Sequence, residues 1–124
     1  MVIHMTYDEI RKILLAIDDP VQKLEVVMDL GAQLPPVPSN AVCGEITGCA
    51  SRVEICRVGN NFYGIADSAI VRGIVAIMIS MVDGKTANQI KEMDLQNMFL
   101  SLNLNLGAGR LNGVNSMIRF LKNL

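Results

Sequence analysis

The 124-residue chain is 51% hydrophobic and carries a formal net charge of -1. That balance favours a packed globule and excludes bulk electrostatic attraction to nucleic acid or an anionic membrane. Aromatic residues are 4% and tryptophan is absent, which leaves few platforms for base stacking, and the length suits a single domain over residues 1–124 with a core of its own.

Asp8 and Glu9 stand near the N-terminus without a long apolar run, so no secretory signal is expected. The longest apolar run, residues 69–82, contains Arg72 and falls short of the ~18 residues a membrane span needs. Three cysteines are an odd count in a chain large enough to fold without disulfides, and the expectation is a reducing cytoplasm.

Thr6 and Glu9 form a capping-box pattern, followed by Ile10, Ile13, Leu14 and Ile17 at helical spacing. Asp19-Pro20 opens a second helix with an apolar stripe of Val21, Leu24, Val27, Met28 and Leu30, and Gly31 is its expected C-cap. Residues 34–38, with Pro35, Pro36 and Pro38, predict an extended connector. A short strand near 45–47 and an alternating strand over 51–58 come next. Turn chemistry at Gly59-Asn60-Asn61 then leads into a return strand over 62–66. Asp67 or Ser68 caps a helix that is apolar nearly all round and runs through Val82. Thr86 and Asp94 cap two shorter helices, and the last helix is predicted from about Arg110 to Leu124. This order predicts a two-layer α+β fold, with a small antiparallel sheet of about three strands packed by helices.

A zinc or cluster site fits the cysteines poorly. Structural zinc prefers four Cys or His ligands, often in close pairs, whereas Cys43, Cys49 and Cys56 are widely spaced and His4 is the one histidine. An extended run from Cys49 to Cys56 separates the sulfurs by about 23 Å. Cys56 reads as a small hydrophobe in a strand and Cys43 as a bystander, although Cys43 and Cys49 could approach across a loop. Cys49 follows Gly48 at a turn, a place where a thiol can be offered to another protein, although a cysteine before a strand more often only packs. With no histidine base nearby, a papain-like hydrolase is not expected. A reactive Cys49 would need its thiolate favoured by a cation or a helix N-terminus, and Arg110 after Gly107-Ala108-Gly109 is the candidate. Asp67 needs no role beyond a cap.

Three patterns in order, Gly48-Cys49-x-Ser51-x-Val53-x-Ile55, Asp67-Ser68-Ala69-Ile70-Val71-Arg72-Gly73 and Gly109-Arg110-x-x-Gly113-x-x-x-Met117-Ile118, resemble the SufE family of cysteine desulfuration proteins, which includes CsdE-type sulfur acceptors. Leu30-Gly31 and Leu34-Pro35 match as well. The resemblance implies the fold shared with IscU-type scaffolds, and as partner a pyridoxal-phosphate cysteine desulfurase of the SufS or CsdA type. It further implies that Cys49 accepts persulfide sulfur and that Asp67 and Arg110 approach it. The desulfurase is thereby stimulated, and the sulfur passes to a cluster scaffold or another acceptor for iron–sulfur assembly. The chain is then no enzyme itself and needs no cofactor or metal of its own; a homodimer is left open. Where the family has Asn, Trp, Trp and Tyr, this chain has Gly44, Glu54, Met98 and Val27. The competing reading is an IscU-like metal or cluster scaffold, against which stands the lack of Cys or His after Cys56.

Overall fold

The protein's structure, a computed structural model, describes residues 5–124. Two helices, α1 (Tyr7–Leu15) and α2 (Pro20–Ala32), precede three strands, β1 (Val42–Glu45), β2 (Val53–Val58) and β3 (Asn61–Ala66). Four helices follow: α3 (Ala69–Val82), α4 (Ala87–Lys91), α5 (Leu95–Leu100) and α6 (Ala108–Lys122). The strands form one antiparallel sheet in the order β1-β2-β3. The expected α+β architecture is present.

Helix starts follow local chemistry. At α1 the Glu9 amide donates to Thr6 Oγ1 at 3.2 Å, and the Thr6 amide donates back to Glu9 Oε1 at 3.1 Å. The Thr6 N–H holds the Glu9 carboxyl below its ordinary range. At α2 the Val21 amide donates to Asp19 Oδ1 at 2.9 Å, with Pro20 in the first helical position. Ser68 caps α3; its hydroxyl accepts from the Val71 amide, and Asp67 is left outside the cap.

Gly31 is not a C-cap. The helix continues through Ala32, and Gln33 caps it. Gly31 instead lies where α2 crosses α3. A Cβ there would sit 2.6 Å from the Arg72 carbonyl carbon, and one on Gly73 would sit 2.6 Å from the carbonyl carbon of Val27. The two backbones touch, which only residues without side chains permit.

Helix α3 is the centre of the core, with Ile70, Ile74, Val75, Ile77, Met78 and Met81 buried along it. Fully burying a side chain of this size contributes roughly 2 kcal/mol. The sheet lays its Gly44–Ile55–Gly64 row on the helical layer: Gly64 meets Val75 and Ile79 of α3, and Gly44 meets Phe120 of α6. The far end of the β2–β3 hairpin is tied to the end of α3, because the Phe62 amide donates to Asp83 Oδ1 at 2.9 Å and the Gly84 amide to Asn60 O at 2.8 Å. No helix of the described residues is long and apolar enough to cross a membrane.

Strand β1 lies earlier than the sequence suggests. Its ladder ends where the Ile46 amide donates to Val53 O at 2.8 Å, and the chain turns away after that bond. The expected strand near 45–47 therefore covers only its last residue, Glu45.

Candidate functional site

Residues 47–52 form the loop between β1 and β2, closed at its base by the Ile46–Val53 bond. Gly48 has φ 86°, a left-handed backbone that residues with a Cβ avoid. This turn carries Cys49 back onto the protein. The Cys49 side chain is half-buried and packs on the edge of the core.

The wall behind it is α6. A Cβ on Gly113 would lie 3.2 Å from Cys49 Sγ, and one on Gly48 would lie 3.0 Å from Ser116 Oγ. A Cβ on Gly44 would lie 2.6 Å from Phe120 Cζ. Gly113, Ser116 and Phe120 thus form one stripe of α6 against which the cysteine loop and β1 rest. Ser116 is itself fixed: it donates to Asn112 O at 3.1 Å and accepts from Arg119 at 3.0 Å.

Burial pushes the Cys49 thiol above its ordinary pKa. The sign is set by desolvation, which penalises the thiolate and leaves the neutral thiol untouched. Alkylation of Cys49 by a neutral haloacetamide should therefore climb with pH through a midpoint higher than that of a free small-molecule thiol. A rate profile over pH checks this, and a midpoint below the free thiol's would contradict it.

Arg110 occupies the first turn of α6, three residues before Gly113, and shares a helix face with it. It is exposed and makes no hydrogen bond or ion pair within the described residues. Helix α6 starts at Ala108, two residues before the expected start, and Gly107 caps it without a side-chain bond. Asp67 follows β3. Its amide donates to Arg52 O at 3.3 Å, three residues beyond Cys49, and Arg72 donates to its carbonyl at 3.4 Å. The Asp67 carboxylate is exposed and has no partner among the described residues. The fold brings the main chain of Asp67 to the base of the Cys49 loop but does not join Asp67 to Arg110. Arg52 instead forms an ion pair with Glu54.

The other two cysteines depart from expectation. Cys43 is not a bystander and does not approach Cys49; it is disulfide-bonded to Cys56. Nor is Cys56 a simple hydrophobe. The physical reason is the register: with β1 at Val42–Glu45, Cys43 stands directly opposite Cys56. A hairpin centred just after Cys49 pairs residues equidistant from its tip, so the near-equal spacing on either side of Cys49 was the available signal. Gly113 lay within a quoted motif without a role, and Ser116 and Phe120 carried no local mark at all.

Cys49 is the one free cysteine. Among the described residues no group of three or more His, Cys, Asp or Glu side chains is placed to hold a metal ion. His4 lies outside the described residues.

The chain is 35% identical over 104 residues to the sulfur acceptor protein CsdE of Escherichia coli (strain K12), covering 77% of this chain and 71% of that one. It is 33% identical over 118 residues to an uncharacterized SufE-like protein of Rhizobium meliloti (strain 1021), covering 86% and 84%. A hypothetical protein from Thermus thermophilus, solved in solution, shares the fold at a TM-score of 0.67 and 14% identity, over 96% of this chain and 94% of that one. Residues 8–124 match the SufE family, described as an Fe-S metabolism associated domain, and the chain belongs to that family.

Proposed function

We propose that this protein, as a single domain over residues 1–124, is a sulfur acceptor that carries sulfur on Cys49. The observation that supports this most is the free thiol of Cys49 on a left-handed glycine turn, within a SufE-family chain and with a relative named as a sulfur acceptor.

The donor is the persulfide of a pyridoxal-phosphate cysteine desulfurase of the SufS or CsdA type. The Cys49 thiolate attacks the terminal sulfur of the donor persulfide. The donor's S–S bond breaks, its thiolate leaves with the electron pair, and the terminal sulfur with its proton stays on Cys49. Removing product in this way stimulates the desulfurase. The sulfur then passes to a cluster scaffold or another acceptor for iron–sulfur assembly. The chain itself needs no cofactor and works in the cytoplasm.

Burial of the thiol suits the resting and loaded states, because a persulfide against Gly113 is shielded from oxidants. Transfer requires the loop to swing out on Gly48, which hydrates the thiol and lowers its pKa toward the ordinary range. In that position Arg110 and the open N-terminal turn of α6 favour the anion. Asp67, with its carboxylate free, orients Arg110 once the loop has moved.

Incubation with the desulfurase of its own cell, pyridoxal phosphate and cysteine should add the mass of one sulfur atom, mapped to the peptide containing Cys49. No adduct with any desulfurase of that cell would sink the proposal.

A further inference from the structure

The disulfide is placed where it can act on the Cys49 loop. The Ile46–Val53 bond fixes which pairs of the β1–β2 ladder exchange hydrogen bonds, and the alternation puts Cys43 and Cys56 at a non-bonded pair. Opposed side chains come closest at such pairs, and these two Cα atoms are 4.0 Å apart. The row Cys43–Cys56–Tyr63 lies on the face of the sheet opposite the Gly44–Ile55–Gly64 row that covers the core. Cys43 stands on the edge strand and is exposed, whereas Cys56 on the central strand has no exposed surface. The bond spans 13 positions, and Cys49 sits at the far point of the ring it closes.

The geometry points to Cys43–Cys56 as a second sulfur site of the protein: a thiol–disulfide exchange site for low-molecular-weight thiols, whose redox state sets how freely the Cys49 loop leaves α6. A small thiolate attacks the sulfur of Cys43, the exposed residue of the pair. The Cys43–Cys56 bond breaks, the electron pair leaves on Cys56, and Cys43 holds a mixed disulfide. A second small thiolate attacks the sulfur of the bound small thiol, releasing the oxidised small-molecule disulfide and the Cys43 thiolate. Two protons from the two small thiols then balance the two protein thiols. Two small thiols are oxidised to one disulfide and the protein disulfide is reduced to two thiols.

The mechanical effect follows from the ring. While it is closed, both arms of the loop start from one covalent point, and Cys49 reaches no further than roughly 20 Å from it at full extension. With the bond open, the described residues hold β1 through its short ladder, the burial of Ile46 and the packing of Gly44 on Phe120. A four-residue edge strand so held opens locally far more readily than the core does. The reduced protein thus presents Cys49 more often and further out. That consequence for sulfur transfer rests on Cys49 being the acceptor; the exchange site and the clamp do not.

Two measurements without any desulfurase test the inference. First, folded Cys49→Ser protein is equilibrated in glutathione buffers of rising reducing strength, its free thiols are trapped by alkylation, and the tags are counted by intact mass. Cys43 and Cys56 should be tagged together while circular dichroism stays native; a pair that stays oxidised until the chain unfolds would overturn the proposal. Second, the alkylation rate of Cys49 is compared between the oxidised wild type and Cys43→Ser/Cys56→Ser. The double variant should react several-fold faster, and equal rates would overturn the clamp. Should the double serine variant fail to fold, Cys43→Ala/Cys56→Val serves for the same comparison. Loss of the fold in both would also overturn the proposal, by making the bond a structural staple. Failure of sulfur loading on Cys49 would leave both results standing, so the two ideas fail separately.

Discussion

Cys49→Ser should accept no sulfur at all and yet melt within ~2 °C of the wild type. The substitution exchanges one sulfur for one oxygen on a half-buried side chain that makes no hydrogen bond among the described residues. A change of that kind away from the deep core costs about 0.5 kcal/mol or less. The chemistry changes completely. A serine hydroxyl stays protonated at any working pH and cannot displace a thiolate from a persulfide, so the effect on transfer is loss rather than attenuation. The other cysteines give no substitute while they are joined to each other. Intact mass after incubation with desulfurase reads the first half of the prediction, and thermal unfolding by circular dichroism reads the second. Sulfur retained by the variant would move the acceptor elsewhere in the chain.

Gly73→Ala should be the most damaging single-methyl change in the protein, lowering stability by about 3 kcal/mol. Helix propensity alone argues the other way, since alanine is better than glycine inside a helix by about 1 kcal/mol. The steric cost prevails because the new methyl meets main chain: the carbonyl carbon of Val27 would lie at 2.6 Å and its oxygen closer still. A rotamer change cannot clear a carbonyl. The remaining option is for α2 to lift off α3, which strips contacts from Val27, Ile70 and Ile74 in the centre of the core. The expected drop in melting temperature is roughly 10 °C. Trimming the neighbouring side chain with Val27→Ala should not rescue it, because the obstructing atoms belong to the backbone. Denaturant unfolding of the single and double variants checks both statements, and a stabilised Gly73→Ala would show that the helices do not touch as described.

What could be read from the sequence was local. Thr6 with Glu9, Asp19 with Pro20, Thr86 and Asp94 each announce a helix start through a side chain that bonds its own first turn, and each start is found where it was expected; of the two candidates for α3, Asp67 and Ser68, the cap is Ser68. The β2–β3 hairpin was equally legible, since Gly59-Asn60 carries the chemistry of its turn. Strand β1 was misplaced because Gly44 interrupts its alternation and its position is set by pairing with β2. The Cys43–Cys56 bond was hidden for the same reason, being a matter of register between strands. The wall of the site lay further out of reach: Gly113 and Ser116 meet the Cys49 loop and Phe120 meets Gly44 of β1 across more than half the chain, and nothing near them in sequence says so. Cys49 could be singled out by its turn and by family resemblance. The same resemblance brought in Asp67 and Arg110, and no hydrogen bond or ion pair joins those two here.

The stripe on α6 also constrains how this chain can vary in length. Gly113, Ser116 and Phe120 oppose Cys49, Gly48 and Gly44 in turn, so helix and loop are matched position by position along the stripe. Adding or deleting one residue inside α6 rotates everything beyond it by ~100°. A single such event between Gly113 and Phe120 would break the match between the contact points on either side of it, although Cys49 is more than sixty positions away. A substitution there disturbs one contact, whereas a change of length disturbs the whole register. Descendants of this sequence can therefore lengthen the loop before α6 or its far end freely, but the stretch from Gly113 to Phe120 is bound to keep its count.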